Sequence, residues 1–545
     1  MHSKQRNGHQ SVGQLLITFA DRRTTIRRKG PAVAAQYGMS LPNRLEAILF
    51  FALAFCTALR FVALAHQSLW TDELFSVFWA KSGAIYMLSH AADETNPPLY
   101  YLLLDLWIWG FGDSESAVRL LSACISTLTI LVVFVLGNVF FDRRAGFIAA
   151  LLFALSAWNL YFAQEARVFS LLTLDFSVMV LSINRMGVRL KRGASATTVL
   201  CSLPAAGFLL SAVAAPYLHY VAFPIFVTIA VVLALIWWRD FAFGWSYFVC
   251  IATIGTLVAL LSIPALALAV WQRHSPSVAW MSFPSATKFL GLAVGAPDWK
   301  GAPDWALGAI VILSAGSALI WMAIFVLGAW KRRGQQSFVL IYLLPIIGFC
   351  VLTATSLFQP FLFSRTLVWI SIPVYLGLAG AVTSFGNTRA RKMAAAAVIL
   401  ASAIFTPGYF AFARKEPWRV AVHSFAAITA SGDLLILGDD TPATAFVYYH
   451  EARLVPQLRR WRGGVTTADK LDEHVTGIRP ATKRELGAVA QHGAKLIFVS
   501  RGCETPTGME RANANMAERF FRCGQPPLSG WLLIRLFMEH MLRLI

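Results

Sequence analysis

The chain has 545 residues, 57% of them hydrophobic and 14% charged, with a mean hydropathy of +0.60. Soluble domains carry about 25% charged residues, so the composition excludes an ordinary soluble protein and implies a polytopic membrane protein. The formal net charge of +19 comes without an aromatic-interleaved basic platform or zinc-finger spacing. Its Lys and Arg sit in short clusters between apolar runs, which argues against nucleic acid and for membrane topology beside anionic lipid head groups.

Residues 1–43 contain "DRRTTIRRKG" and no short apolar core before a small-residue cleavage site, so they read as a basic cytoplasmic tail. Apolar runs near the ~20 residues that cross a bilayer then fall at about 44–65, 117–140, 145–163, 168–186, 198–216, 220–238, 246–271, 305–329, 337–357, 366–384 and 393–411. These make about eleven spans in a transmembrane domain over 44–411. With the N-terminus inside, the loops holding Arg143 and Arg144, Arg185 to Arg192, Arg239, Lys331 to Arg333 and Arg389 to Lys392 all fall on the cytoplasmic side, as short basic loops should.

The first external loop, 66–116, is unusual because it is too polar to span and too apolar to be a free loop. "PPLYYLLLDLWIWGFG" is short, contains Asp105 and ends near an acidic "GDSES", so it reads as an interfacial helix. Counting it as a span would place Arg143 and Arg144 outside. Upstream, "LFSVFWAKSGAIYML" also reads as lying along the membrane surface.

Asp72 and Glu73 open that stretch. A carboxylate held at the membrane boundary is partly desolvated and suited to act as a base toward a hydroxyl. The alternative is local: Thr71 or Asp72 capping the helix, with acids favoured in its first turn. Glu94 is a second acid of the same loop. "FAQEARVFS" places Gln164, Glu165 and Arg167 where one span leaves the bilayer and the next enters, and on a helix Gln164 and Arg167 would share a face. Arg167 suits a phosphate through its planar fork, or else snorkels at a helix end. His219, Arg273, His274 and Arg365 also fall outside, an excess of positive charge that an anionic lipid phosphate would need. No pair of His at ligand spacing accompanies His219, so no metal is assigned. Asp175, inside a span, reads as facing the packed bundle.

Beyond residue 411 charge returns. "GDLLILG" (432–438) and "AKLIFVS" (494–500) read as buried strands separated by helices such as "PATAFVYYHEA", giving a small α/β domain over 412–545 that an odd number of spans places outside. No Gly-rich phosphate loop occurs. Five cysteines lie in apolar runs and imply nothing catalytic, whereas Cys503 and Cys523 are open to disulfide formation in an extracytoplasmic domain.

In order along the chain, "LWTDELFS", "ETNPPLYYLLLDLW", "GDSESAVRLLSA", "FDRRAGFIAALL", "YFAQEARVFSL", "LHYVAF" and "QPFLFSRTLVWISIPVYLGLA" resemble the bacterial relatives of the protein O-mannosyltransferase and aminoarabinose-transferase group. The resemblance covers about residues 44–415 and implies a C-type glycosyltransferase fold in the bacterial cytoplasmic membrane, using a polyprenyl-phosphate sugar. It implies a catalytic Asp in the first external loop, at Asp72, with Glu73 completing the pair. The stretch before the prolines departs from the pattern. Glu94-Thr95-Asn96 stands where one branch has Asp-x-His and the other commonly has Lys before its Pro.

The expected activity is inverting transfer of the sugar to an acceptor hydroxyl or amine on a glycan, lipid or protein, with Asp72 as base. Arg167 and Arg365 would stabilise the leaving phosphate, and Glu94, Gln164, Glu165, His219 and Tyr220 would bind substrate. A divalent metal bridging carboxylates and phosphate stays open as a cofactor. The competing class is a transporter or flippase of lipid-linked or anionic substrates, which commonly shows internal repeats; none is visible here.

Overall fold

Long apolar runs without water to bond must satisfy their backbone internally, and this chain does so with helices. The computed structural model describes residues 44–537 except 93, 240–243, 274–282, 286–302, 336, 361, 438–442, 450–453, 461–473, 475, 483, 486–495 and 501–532. Among the described residues, eight helices are long and apolar enough to cross a membrane: Glu115–Phe140, Phe169–Lys191, Ala222–Arg239, Gly244–Gln272, Ala306–Arg332, Val339–Ser356, Ser364–Thr383 and Thr388–Phe412. A ninth candidate is the pair Arg143–Leu155 and Ala157–Ala163, bent by 65°. The expected spans at 44–65 and 198–216 are shorter apolar helices, Ala47–Phe61 and Leu203–Leu218. Residues 44–54 form a contact unit separate from 55–545, and the packing below concerns the second unit. The tail at 1–43, His274, Cys503 and Cys523 lie outside the described residues.

The bend has a local cause. Ser156 leaves helical geometry and its hydroxyl accepts from Asn159 N, so one helix stops at Leu155 and a new one is capped. Helices 115–140 and 143–155 cross at glycines. A Cβ on Gly137 would stand 2.6 Å from the Cα of Gly146, which is why the backbones come so near. Of the cysteines in apolar runs, Cys56 and Cys250 are buried while Cys201 and Cys350 are exposed. Asp175 is buried in helix 169–191, as the sequence reading expects, and its Oδ2 has no partner among the described residues.

The segment 66–116 forms three short helices, Thr71–Lys81, Ala84–Ser89 and Leu99–Phe111. Tyr100, Tyr101 and Leu104 point into the protein while Leu106, Trp109 and Phe111 are exposed. At 13 residues the helix Leu99–Phe111 is an apolar helix shorter than the candidate spans, packed on the protein by one part of its surface. Both expected C-terminal strands are present. The sheet runs β2 (Leu458–Arg460), β1 (Leu434–Leu437), β3 (Leu496–Ser500), β4 (Leu533–Phe537), with β1 parallel to β2 and β3, and β4 antiparallel to β3. All four residues of β1 are buried, as a central parallel strand requires. One apolar cluster joins Leu74, Val77, Trp79 and Tyr100 to Trp418, Phe425, Leu435 and Phe446. The first loop and the C-terminal sheet therefore share a core.

Candidate functional site

Helix Thr71–Lys81 starts after Trp70, whose backbone is extended at φ −89° and ψ 171°. Neither Thr71 nor Asp72 is the cap, so of the local alternative only the preference for acids in the first turn holds. Asp72 and Glu73 occupy the first turn, near the positive end of the helix dipole. Successive residues on a helix are rotated by about 100°. The two carboxylates consequently face different surroundings.

Glu73 turns inward and is fully buried. Arg119 grips it with two bonds, Nε to Oε1 at 2.8 Å and Nη2 to Oε2 at 2.6 Å. Lys415 Nζ lies 3.0 Å from Oε1, Ala166 N donates to Oε1 at 2.9 Å and Trp70 N to Oε2 at 3.3 Å. Burial alone would raise this carboxyl, but Arg119 and Lys415 hold it down at about 2. The remaining donors of Arg119 reach the carbonyls of Leu64, Gln67 and Ser68. Glu73 is thus the hub of a closed knot, shut off from solvent where its neighbour Asp72 is partly exposed.

Asp72 is 30% exposed, and its Oδ2 lies 3.2 Å from Arg365 Nη1 and 3.4 Å from Arg167 Nη2. Arg365 comes from the short helix Ser364–Leu367, with its guanidinium over the Phe363 ring. Arg167 comes from a non-helical turn between Ala163 and Phe169. That turn corrects the expectation that Gln164 and Arg167 share a helical face. Burial works against the Arg167 charge, yet Asp72 and its other anionic neighbours raise the guanidinium above its ordinary value. Arg167 Nε has no partner among the described residues.

The other expected residues divide. Gln164 is engaged structurally: Nε2 donates to the carbonyls of Leu59, Arg60 and Val62, and Oε1 accepts from Tyr409. Both of its amide hydrogens and one lone pair of its oxygen are thus committed to the protein. Glu165 is buried with Oε2 unpartnered among the described residues, and burial raises its carboxyl against the pull of Lys415. Glu94 is buried and accepts from Thr95 and Asn96, its carboxyl raised by burial. His219 accepts from Val221 N at Nδ1, which leaves Nε2 to carry the proton of the neutral ring. Burial, followed by the charges of Arg365 and Arg167, pushes this imidazole down to about 3, so it is a neutral donor beside the two arginines. Tyr220 bonds Gln272 at 2.7 Å, and Gln272 in turn holds the Ala91 carbonyl.

Sequence reasoning missed the clamp that holds this loop. Thr71 donates through N and Oγ1 to Glu416 Oε2, which also accepts from Trp418 Nε1. Gln67 bonds Ala413 O and Lys415 N, and Arg419 pairs with Glu115. Tyr449 accepts from Leu69 N and donates to Glu115. One signal was available for Arg119: an arginine one turn inside an otherwise apolar 26-residue helix is costly unless paired. Among the described residues no group of three His, Cys, Asp or Glu side chains converges to hold a metal ion.

No family model matches the chain, and neither does any curated protein. Solved structures do. ArnT from Cupriavidus metallidurans in the apo state is 14% identical with a TM-score of 0.55, over 83% of this chain and 92% of that one. The same protein bound to undecaprenyl phosphate gives 14% and 0.55, over 87% and 95%. The archaeal oligosaccharyltransferase AglB from Archaeoglobus fulgidus, in complex with an inhibitory peptide and a dolichol-phosphate, gives 11% and 0.49, over 83% and 69%. The chain has the polytopic fold of the ArnT structures, the C-type fold that the resemblance implies.

Proposed function

We propose that this membrane protein is a glycosyltransferase that moves a sugar from a polyprenyl-phosphate donor to an acceptor hydroxyl or amine. The observation that carries the reading is Asp72, partly exposed between Arg365 at 3.2 Å and Arg167 at 3.4 Å, in the fold of a protein solved with undecaprenyl phosphate. Two guanidiniums that converge on one opening suit a phosphate, which accepts the forks that a carboxylate also accepts.

In this mechanism the donor phosphate oxygens take hydrogen bonds from Arg167 and Arg365, which releases the Asp72 carboxylate from its two ion pairs to face the acceptor. Asp72 then accepts the proton of the acceptor. The acceptor oxygen or nitrogen attacks the anomeric carbon, the bond from that carbon to the phosphate oxygen breaks through an oxocarbenium-like transition state, and the configuration inverts. The arginines stabilise the charge left on the polyprenyl phosphate. His219, kept neutral, can donate through Nε2 without adding charge. Glu73 acts as a positioning residue through the Arg119 and Lys415 knot, and Glu94 and Glu165 line the same region as substrate contacts.

We place the Asp72 end on the extracytoplasmic side, with the N-terminus inside and the C-terminal domain outside. Arg185, Arg192 and Gln335 gather around one cavity at the far ends of their helices, which supports a single basic, cytoplasmic end. Reporter fusions after Arg333 and Gly432 should report opposite sides.

The deciding experiment supplies reconstituted protein with a labelled polyprenyl-phosphate sugar. Label should pass to a cell-envelope acceptor with release of polyprenyl phosphate. Movement of the intact donor across the vesicle without transfer would establish the transporter alternative instead.

A further inference from the structure

At the end of the bundle away from Asp72 lies a cavity of about 440 Å³ between the last turns of helices Glu115–Phe140 and Phe169–Lys191 and the turn after helix 304–332. Phe140 and Val188 give it an apolar wall, and Arg185, Arg192, Asn184 and Gln335 supply polar donors. Arg185, Val188 and Arg192 recur at three and four residues, so they form one stripe of the helix surface. Nearby Arg332 differs from them, because its donors reach Gly380 O, Gln335 Oε1 and Thr383 Oγ1 and its guanidinium lies over the Phe141 ring. Arg185 and Arg192 are exposed, and their guanidiniums have no hydrogen bond or ion pair among the described residues, the Arg192 backbone N–H alone closing the helix end on Val188 O and Arg189 O.

We infer that this cavity holds the head group of an anionic phospholipid, its phosphate on Arg185 and Arg192 and the start of its acyl chains against Phe140 and Val188. The chemistry has three parts. The cavity sits where transmembrane helices end, so it opens at the depth of lipid phosphates. Basic pockets between transmembrane helices at that depth bind acidic head groups. An apolar wall under a pair of unengaged guanidiniums matches an amphiphile better than a free ion. Two arginines about 10 Å apart along the helix, from seven residues at 1.5 Å each, also suit a lipid with two phosphates. The inference is independent of the proposed transfer reaction, which it neither uses nor supports.

The test reads lipid retained by the purified full-length chain after exchange into phosphatidylcholine vesicles containing phosphatidylglycerol or cardiolipin. The wild type should enrich the anionic lipid. Arg185→Ala with Arg192→Ala should weaken retention about 25-fold, the product of roughly five-fold for each arginine near a membrane surface. Arg189→Ala removes the same kind of charge from the same helix end but does not line the cavity, so it should retain the lipid. Val188→Asp leaves both arginines and places a carboxylate on the apolar wall; it should lose the lipid as well. Equal retention in the double variant and the wild type would overturn the inference. So would an equal loss in Arg189→Ala, which would show only general attraction to a basic end, or displacement of the lipid by inorganic phosphate alone.

Discussion

Asp72 and Glu73 are covalent neighbours that belong to two different regions of the molecule. On one side of the first helical turn, Asp72 meets two arginines at an opening; on the other, Glu73 closes a knot with Arg119 and Lys415 where no solvent reaches. The same pairing of carboxylate and guanidinium therefore does different work according to burial. Removing one partner of a buried pair leaves an uncompensated charge and costs about 3–5 kcal/mol. A partly exposed pair contributes little to stability, because water competes for both ions. Stability therefore belongs to the Glu73 side and, on the reading proposed above, chemistry to the Asp72 side.

The largest effect should come from Glu73→Gln, which leaves Arg119 and Lys415 buried without their anion. A loss of about 3–5 kcal/mol should appear as a lower melting temperature in detergent, with activity lost alongside the fold. An unchanged melting curve would dissolve the distinction between the two regions. The same knot predicts a pH dependence. The Glu73 carboxyl stands at about 2 against an ordinary 4.5, so its stabilisation is complete above pH 4.5 and is lost as pH falls toward 2. The wild type should lose its stability advantage over Glu73→Gln across that window.

Asp72→Asn is the converse. Transfer should fall by roughly 10²–10⁴-fold while the melting temperature and donor affinity hold. A rate within a few-fold of the wild type would remove Asp72 as the base. Next in size are Arg365→Ala and Arg167→Ala, each expected to weaken donor binding by about 1.5–3 kcal/mol, the range of a hydrogen bond to a charged group. Lys at either position should restore only part of the affinity, since an ammonium lacks the planar fork. Titration with a polyprenyl phosphate reads both, and unchanged affinity in both alanine variants would sink the phosphate role. The smallest effect belongs to the clamp: Tyr449→Phe deletes the hydroxyl between Leu69 N and Glu115, and should cost about 1 kcal/mol in melting with donor affinity intact.

Much of the site was legible because its residues are chemically costly where they stand. Asp72, Glu165, Arg167, His219 and Arg365 could be picked out as polar groups beside apolar runs, and the structure places their side chains around the same end of the bundle. Gln164 was legible as a polar group at a span end but not as a structural one, because its partners, three carbonyls near residue 60, are about a hundred positions away. Lys415 and Glu416 were invisible for the same reason. They sit in an ordinary charged linker, and only the fold brings that linker against residues 67–73.

By itself the sequence determined the solvent and the secondary structure. Apolar runs of a given length can only be helices in a bilayer, and alternating basic loops constrain their orientation, since both follow from desolvation costs that act locally along the chain. It also determined that a polar loop with acids and prolines follows the first apolar run. Which of two adjacent acids is buried was settled by the packing of the fold. That choice depends on the rotation of one helix against Arg119 and on a lysine 342 positions later in the chain, and long-range ion pairing leaves no period or spacing in the sequence to read.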